Sequence, residues 1–91
     1  MTVSTANELT PTVEFYWRPG CGFCGALFRD LSGLGIEVEP HNIWEDPSAA
    51  ARVREVARGT ETVPTIIVGA TALVNPVVGD VVRVLADLAT A

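Results

Sequence analysis

Lysine is missing from these 91 residues: six arginines carry all the positive side-chain charge, against 11 aspartates and glutamates, for a net charge of −5. A chain with that balance has no electrostatic footprint for a polyanion, so neither nucleic acid nor an anionic membrane surface is expected as a partner. Long apolar runs are absent as well. Nothing approaches the roughly 20 residues that cross a bilayer, and the opening stretch "MTVSTANELTPT" has neither the basic start nor the apolar centre of a secretory leader. The cytoplasm is therefore the expected compartment, with residues 1–12 as a flexible segment ahead of one domain at 13–91. Histidine is down to one residue, His41, and cysteine to two, Cys21 and Cys24. That scarcity weighs against a zinc centre, which takes about four ligands. No metal and no tightly bound cofactor is expected, and the chain is expected to be a monomer.

What is present is 48% hydrophobic and 19% charged, the balance of a folded domain. The stretch "TVEFYW" (12–17) is β-branched and aromatic, and Pro19 and Gly20 close it, which predicts a central strand. Cys24, Leu27, Phe28, Leu31 and Leu34 then recur at spacings of three and four, one face of a helix that Gly33 or Gly35 can stop. "GIEVEPHNI" (35–43) alternates as a half-buried strand does, and Pro40 assigns it to an edge. Asp46 and Pro47 suit the cap and first position of a second helix, with Val53, Val56 and Ala57 turned inward and Gly59 at its end. "TVPTIIVGATALV" (62–74) reads as a hairpin broken at Gly69 and Ala70. Asn75 and Pro76 repeat the cap-and-proline start ahead of a last helix, with Val78, Val81, Val82, Leu85 and Leu88 on one face. The expected fold is α/β, in the order β-α-β-α-β-β-α, with a four-stranded mixed sheet and helices on both of its faces.

The chemistry is concentrated in "RPGCGFCGAL" (18–27). As a staple, a loop of four residues contributes only about 2 kcal/mol in the chain-entropy account. Two cysteines in a reducing compartment are read as reactive or metal-binding before they are read as structural. The pair is unequal. Cys24 belongs to the helix stripe, whereas Cys21 precedes the helix at the carboxyl edge of the sheet, where free backbone N–H groups and the helix dipole stabilise a thiolate. Arg18 adds a cation three residues earlier, and Trp17 and Phe23 are placed to wall a groove. His41 would have to reach across the fold to act as a base for Cys21, and is read as a solvated strand-end residue. Pro64 either heads the third strand or closes a cis peptide that offers the N–H and C=O of Val63 to an extended thiol peptide.

"YWRPGCGFC", then "TVP", in this element order, resembles the glutaredoxins of the thioredoxin superfamily over residues 13–90. The resemblance implies a thioredoxin/glutaredoxin fold with Cys21 as nucleophile, Cys24 as resolving thiol, a redox-active disulfide between them and a cis Val63–Pro64 bond. Two features depart from glutathione-using members. Gly22 stands where many of them have proline, and "GATALVNP" stands where they carry the segment that holds the γ-glutamyl group. Gly22, "TVPT" and "NP" are instead similar to mycoredoxins. That similarity implies an enzyme that reduces mycothiol–protein mixed disulfides through Cys21, with mycothiol, or glutathione in its place, as cosubstrate. Trp17, Arg18, Phe23, Thr62, Val63, Pro64 and Asn75 would then surround the small thiol, and disulfide-bearing or thiolated proteins would be the partners. Two other readings stay open. One is a glutaredoxin that reduces protein disulfides with electrons from a flavin disulfide reductase of the thioredoxin-reductase kind or from glutathione. The other is a binding module in which two chains each lend Cys21 to an iron–sulfur cluster completed by two external thiols.

Overall fold

The structure, a computed structural model, describes residues 11–90. Apart from Pro11 and Thr12, the segment expected to be flexible lies outside the described residues. Strand β1 (Val13–Trp17) is followed by helix α1 (Gly22–Gly33), strand β2 (Glu39–Asn42) and helix α2 (Pro47–Val56). The hairpin strands β3 (Thr65–Val68) and β4 (Thr71–Val74) lead into helix α3 (Val78–Thr90). The strands form one mixed sheet in the order β2-β1-β3-β4. β1 and β2 are parallel, and β3 is antiparallel to both β1 and β4. The β-branched and aromatic stretch thus takes an inner position, and the proline-bearing strand an edge, where a missing N–H costs no ladder bond.

Successive residues of a strand point to opposite faces, and β1 supplies both cores. Val13 and Phe15 pack with Cys24, Leu27 and Leu31 of α1, Ile66 and Val68 of β3, and Val81 of α3. Tyr16 packs on the other face with Ile43, Ile67 and the Ala49, Ala50 and Val53 side of α2. Helix α2 begins as its sequence predicts. The Asp46 carboxylate accepts the Ser48 and Ala49 N–H groups at 3.0 and 3.4 Å, and Pro47 opens the first turn. The hydroxyl of Ser48 also donates to it, and these bonds together hold the Asp46 carboxyl below the usual carboxylate range.

Three expectations are corrected. The second strand begins at Glu39 rather than near residue 35. Its first partner is Glu14, so β1 offers nothing for Ile36 to pair with. Ile36 is engaged elsewhere: its N–H bonds to Leu31 C=O at 3.0 Å while that of Gly35 bonds to Ser32 C=O at 3.0 Å. This is a Schellman closure of α1, with Gly35 at φ +75. The last helix starts at Val78, and Asn75 is not its cap. Asn75 adopts φ +54 and gives its N–H to Pro64 C=O at 2.8 Å, while Asp80 in the first turn accepts the Val77 N–H at 3.1 Å. The buried face of α3 is Val81, flanked by the partly buried Val78, Val84 and Leu85, whereas Val82 and Leu88 are each 40% exposed.

The expected solvated position of His41 is the third correction. Its ring stacks on Tyr16 with centroids 4.9 Å apart, and Nε2 lies 3.3 Å from Glu39 Oε1 and 3.6 Å from Glu14 Oε1. The cluster sits on the α2 face, across the sheet from the core that receives the cysteines. His41 is therefore not positioned to serve Cys21 as a base.

Tyr16, the sole tyrosine, is buried. Burial, the hydrogen bond it donates to Glu14 Oε1 at 2.9 Å and the charge of that carboxylate push its pKa up to about 12. The folded chain holds this proton more tightly than the unfolded chain does. The resulting stability, about 3 kcal/mol for a shift of about two units, is complete below pH 10 and is lost as pH rises towards 12. Tyrosinate absorbance at 295 nm is expected to rise near pH 12 in the folded protein, and the melting temperature to fall from pH 10 upward. A phenol that ionises at its ordinary value of about 10 before unfolding would contradict the geometry of this face.

Candidate active site

The turn at Pro19 and Gly20 carries the chain from β1 into α1, and Gly20 adopts φ +80, a conformation that favours glycine. Cys21 follows in extended geometry as the N-cap of α1. Its Sγ accepts the Cys24 N–H at 3.1 Å, the place that a serine or aspartate oxygen takes in an ordinary cap. The cysteines are disulfide-bonded with their Cα atoms 5.2 Å apart. Cys24 is only 3% exposed and forms part of the core, whereas Cys21 stays partly open to solvent. One sulfur is thus reachable from outside at a helix start, and the other backs it from within.

The loop ahead of β3 approaches from the side. Cys21 Sγ is 3.9 Å from Val63 C=O, and the Val63–Pro64 bond is cis. The loop is tied down at both ends: Thr65 Oγ1 donates to Thr62 C=O at 2.8 Å, and Asn75 N–H to Pro64 C=O at 2.8 Å. Val63 therefore lies beside Cys21, with Pro64 next in the chain and Asn75 bonded to Pro64, and with Thr62 on the other side of Val63, its hydroxyl 2.8 Å from that of Thr60.

The remaining predicted residues are dispersed around the sulfurs. Phe23 is 78% exposed on the first turn of α1. Trp17 is half-buried against the core. The Arg18 guanidinium is engaged elsewhere: it donates to Pro19 C=O at 3.1 Å and lies 5.5 Å from the centre of the Trp44 ring. Beside the dithiol opens a cavity of about 380 Å³ walled by Phe15, Trp17, Phe28 and Pro40, with Arg18 as its one charged lining residue and both cysteines on its border. Sequence reasoning assigned Phe28 to the core and did not single out Trp44. Trp44 lies in the turn after β2, where no periodicity marks it, and only the tertiary contact with Arg18 reveals it.

The family model for glutaredoxins matches residues 13–72, a span that includes the dithiol and the cis bond. The chain belongs to the glutaredoxin family. Comparison with curated protein sequences finds no match. Among solved structures, this glutaredoxin is similar to the thioredoxin-like protein BC3987, with a TM-score of 0.72 and 18% identity over 81% of this chain and 100% of that one. That likeness bears on the fold. It is also similar to the glutaredoxin-like protein NrdH-redoxin from Escherichia coli, described as having a thioredoxin-like activity profile, with a TM-score of 0.60 and 28% identity over 69% of this chain and 80% of that one. The fold is thioredoxin-like, and this glutaredoxin is a thiol–disulfide oxidoreductase with a C-x-x-C pair. Among the described residues, no helix is long and apolar enough to cross a membrane.

Proposed function

We propose that this glutaredoxin reduces mycothiol–protein mixed disulfides. The observation that supports the reading is that two of the segments that resemble mycoredoxins meet at Cys21, with the third bonded behind them. Gly22 follows the attacking cysteine, the Val63 carbonyl is 3.9 Å from its Sγ, and the Asn75–Pro76 corner is hydrogen-bonded to Pro64. Cys21 as thiolate attacks the mycothiol sulfur of the mixed disulfide, the bond to the protein sulfur breaks, and the protein leaves as a thiolate that takes a proton from water. A second mycothiol thiolate then attacks the Cys21–mycothiol disulfide. Mycothiol disulfide leaves with the two electrons' worth of oxidation, and Cys21 is again a thiolate. In this cycle Phe23, Thr62, Val63, Pro64 and Asn75 flank the small thiol, Trp17 and Arg18 line the cavity beside the dithiol, and no tightly bound cofactor takes part. The working place is the cytoplasm, as a monomer.

The likeness to NrdH-redoxin favours a second reading, a dithiol donor to protein disulfides that is recharged by a flavin disulfide reductase. Turnover of one mixed-disulfide substrate with mycothiol, glutathione or thioredoxin reductase plus NADPH as the only reductant separates the two. Mycothiol is expected to sustain turnover at least about tenfold faster than glutathione, in line with the discrimination a polar site achieves. Turnover with the reductase and none with mycothiol would replace the first reading by the second.

A further inference from the structure

We infer that the cavity between α1 and the β1–β2 pair receives a bulky apolar side chain next to the cysteine of the protein substrate, with an acidic residue on the other side of that cysteine meeting Arg18. The inference rests on the proposed reaction for the identity of the substrate, and on the cavity itself for the selectivity. At about 380 Å³ the cavity is near the lower end of ligand-binding sites, with room for one large side chain. Its walls are aromatic rings and a proline. Phe28 stays 45% exposed at its rim, held edge-on to Phe15 with ring centroids 6.0 Å apart. A hydrophilic low-molecular-weight thiol seated there would lose water with little beyond the Arg18 guanidinium and the Trp17 indole to replace it. That thiol belongs instead beside Val63, where backbone groups are on offer.

The position of the cavity decides which molecule fills it. The cysteines border it, and the residue after a reacting cysteine lies one Cα–Cα step of about 3.8 Å along the substrate chain. A protein brought into line for exchange at Cys21 therefore carries its neighbouring side chain to the cavity. The charge fits too. Arg18 lines the cavity, and among the described residues it forms no ion pair with a carboxylate. Its own partners are the Trp44 ring and the Pro19 carbonyl, which leave the positive charge unneutralised for an anionic residue of the substrate.

The test uses blocked tripeptides Asp-Cys-Leu, Asn-Cys-Leu and Ser-Cys-Ser, each joined to mycothiol as the mixed disulfide. For the wild type, kcat/KM is expected to be about 10- to 100-fold higher with Asp-Cys-Leu than with Ser-Cys-Ser, the range that apolar-pocket discrimination reaches. Gly25 also borders the cavity, and a Cβ built there meets only the flexible Arg29 side chain, at 3.5 Å. Gly25→Leu therefore fills the cavity while improving helix propensity, and the ratio should fall below about threefold. Arg18→Gln should remove the difference between the Asp and Asn peptides and keep the Leu preference. A wild-type ratio near one, or a ratio that survives Gly25→Leu, overturns the inference. Peptides with serine in place of cysteine give a readout free of chemistry: Asp-Ser-Leu should shift the amide resonances of Gly25 and Phe28 where Ser-Ser-Ser does not. Shifts without mycothiol turnover would uphold the cavity's role and overturn the proposed reaction, whereas absence of shifts overturns the inference whatever the turnover.

Discussion

Cys21→Ser is expected to abolish turnover, a loss of roughly a thousandfold or more, while Cys24→Ser retains reduction of mycothiol mixed disulfides within about tenfold of the wild type. The asymmetry follows from the placement of the sulfurs. Cys21 is partly open at a helix start, with the Cys24 N–H directed at its Sγ from 3.1 Å, so the negative charge of an attacking thiolate and of the same thiolate on leaving meets a donor already in place. Cys24 is 3% exposed in the core and no external disulfide reaches it. In the proposed cycle it acts only by displacing a thiol already attached to Cys21, a step for which mycothiol substitutes. Serine accepts the same N–H as an N-cap, so Cys21→Ser keeps α1 intact, and its circular dichroism should match that of the wild type. The loss is then chemical. Alkylation of the reduced wild type with iodoacetamide, followed by peptide mapping, should label Cys21 at least tenfold faster than Cys24. Turnover by Cys21→Ser, or faster labelling of Cys24, would reverse the assignment of roles.

That asymmetry was legible in the sequence because its signals are local. Cys24 falls on the stripe with Leu27 and Leu31, Cys21 falls outside it, and a turn of Pro19 and Gly20 precedes both. The same locality explains the success at β1, at the Asp46–Pro47 start of α2, and at the Gly69 turn of the hairpin, where Gly69 adopts φ +61. Each is set by residues within a few positions of one another.

Where a distant partner decides, the sequence misleads. Asn75–Pro76 has the appearance of a helix cap, but the N–H of Asn75 is claimed by Pro64, eleven positions earlier in the chain, and the corner turns before the helix starts. Ile36 and Val38 alternate with glutamates as a strand would, yet helix closure takes the N–H of Ile36 and β1 has no residue left to pair with it. In α3 the valines at 78, 81, 82 and 84 allow more than one phase of a 3.6-residue period, and the sheet selects the face centred on Val81. The cavity has the same origin. Phe15, Phe28 and Pro40 belong to β1, α1 and β2 and meet only once the parallel β1–β2 pair has formed.

Leu31→Ala is expected to destabilise the fold by about 2–5 kcal/mol, the cost of removing a fully buried leucine side chain and leaving a cavity. Leu31 is 0% exposed and packs with Phe15, Leu27, Ile66 and Val81, and so joins α1 to both the sheet and α3. Its backbone carbonyl also accepts the N–H groups of Leu34 and Ile36 at 3.1 and 3.0 Å, bonds that alanine would preserve. The loss is therefore one of packing and not of helix closure. Leu34 provides the internal control, since it is 60% exposed three positions later, and Leu34→Ala should cost no more than about 0.5 kcal/mol. For a domain of this size a loss of 2 kcal/mol or more lowers the melting temperature by at least about 8 °C, so thermal unfolding separates the two variants without ambiguity. Equal melting temperatures would mean that α1 is not anchored through Leu31. Under conditions where Leu31→Ala remains folded, its alkylation preference for Cys21 should persist, because the cap that presents this sulfur lies at the opposite end of the helix from the cavity left behind.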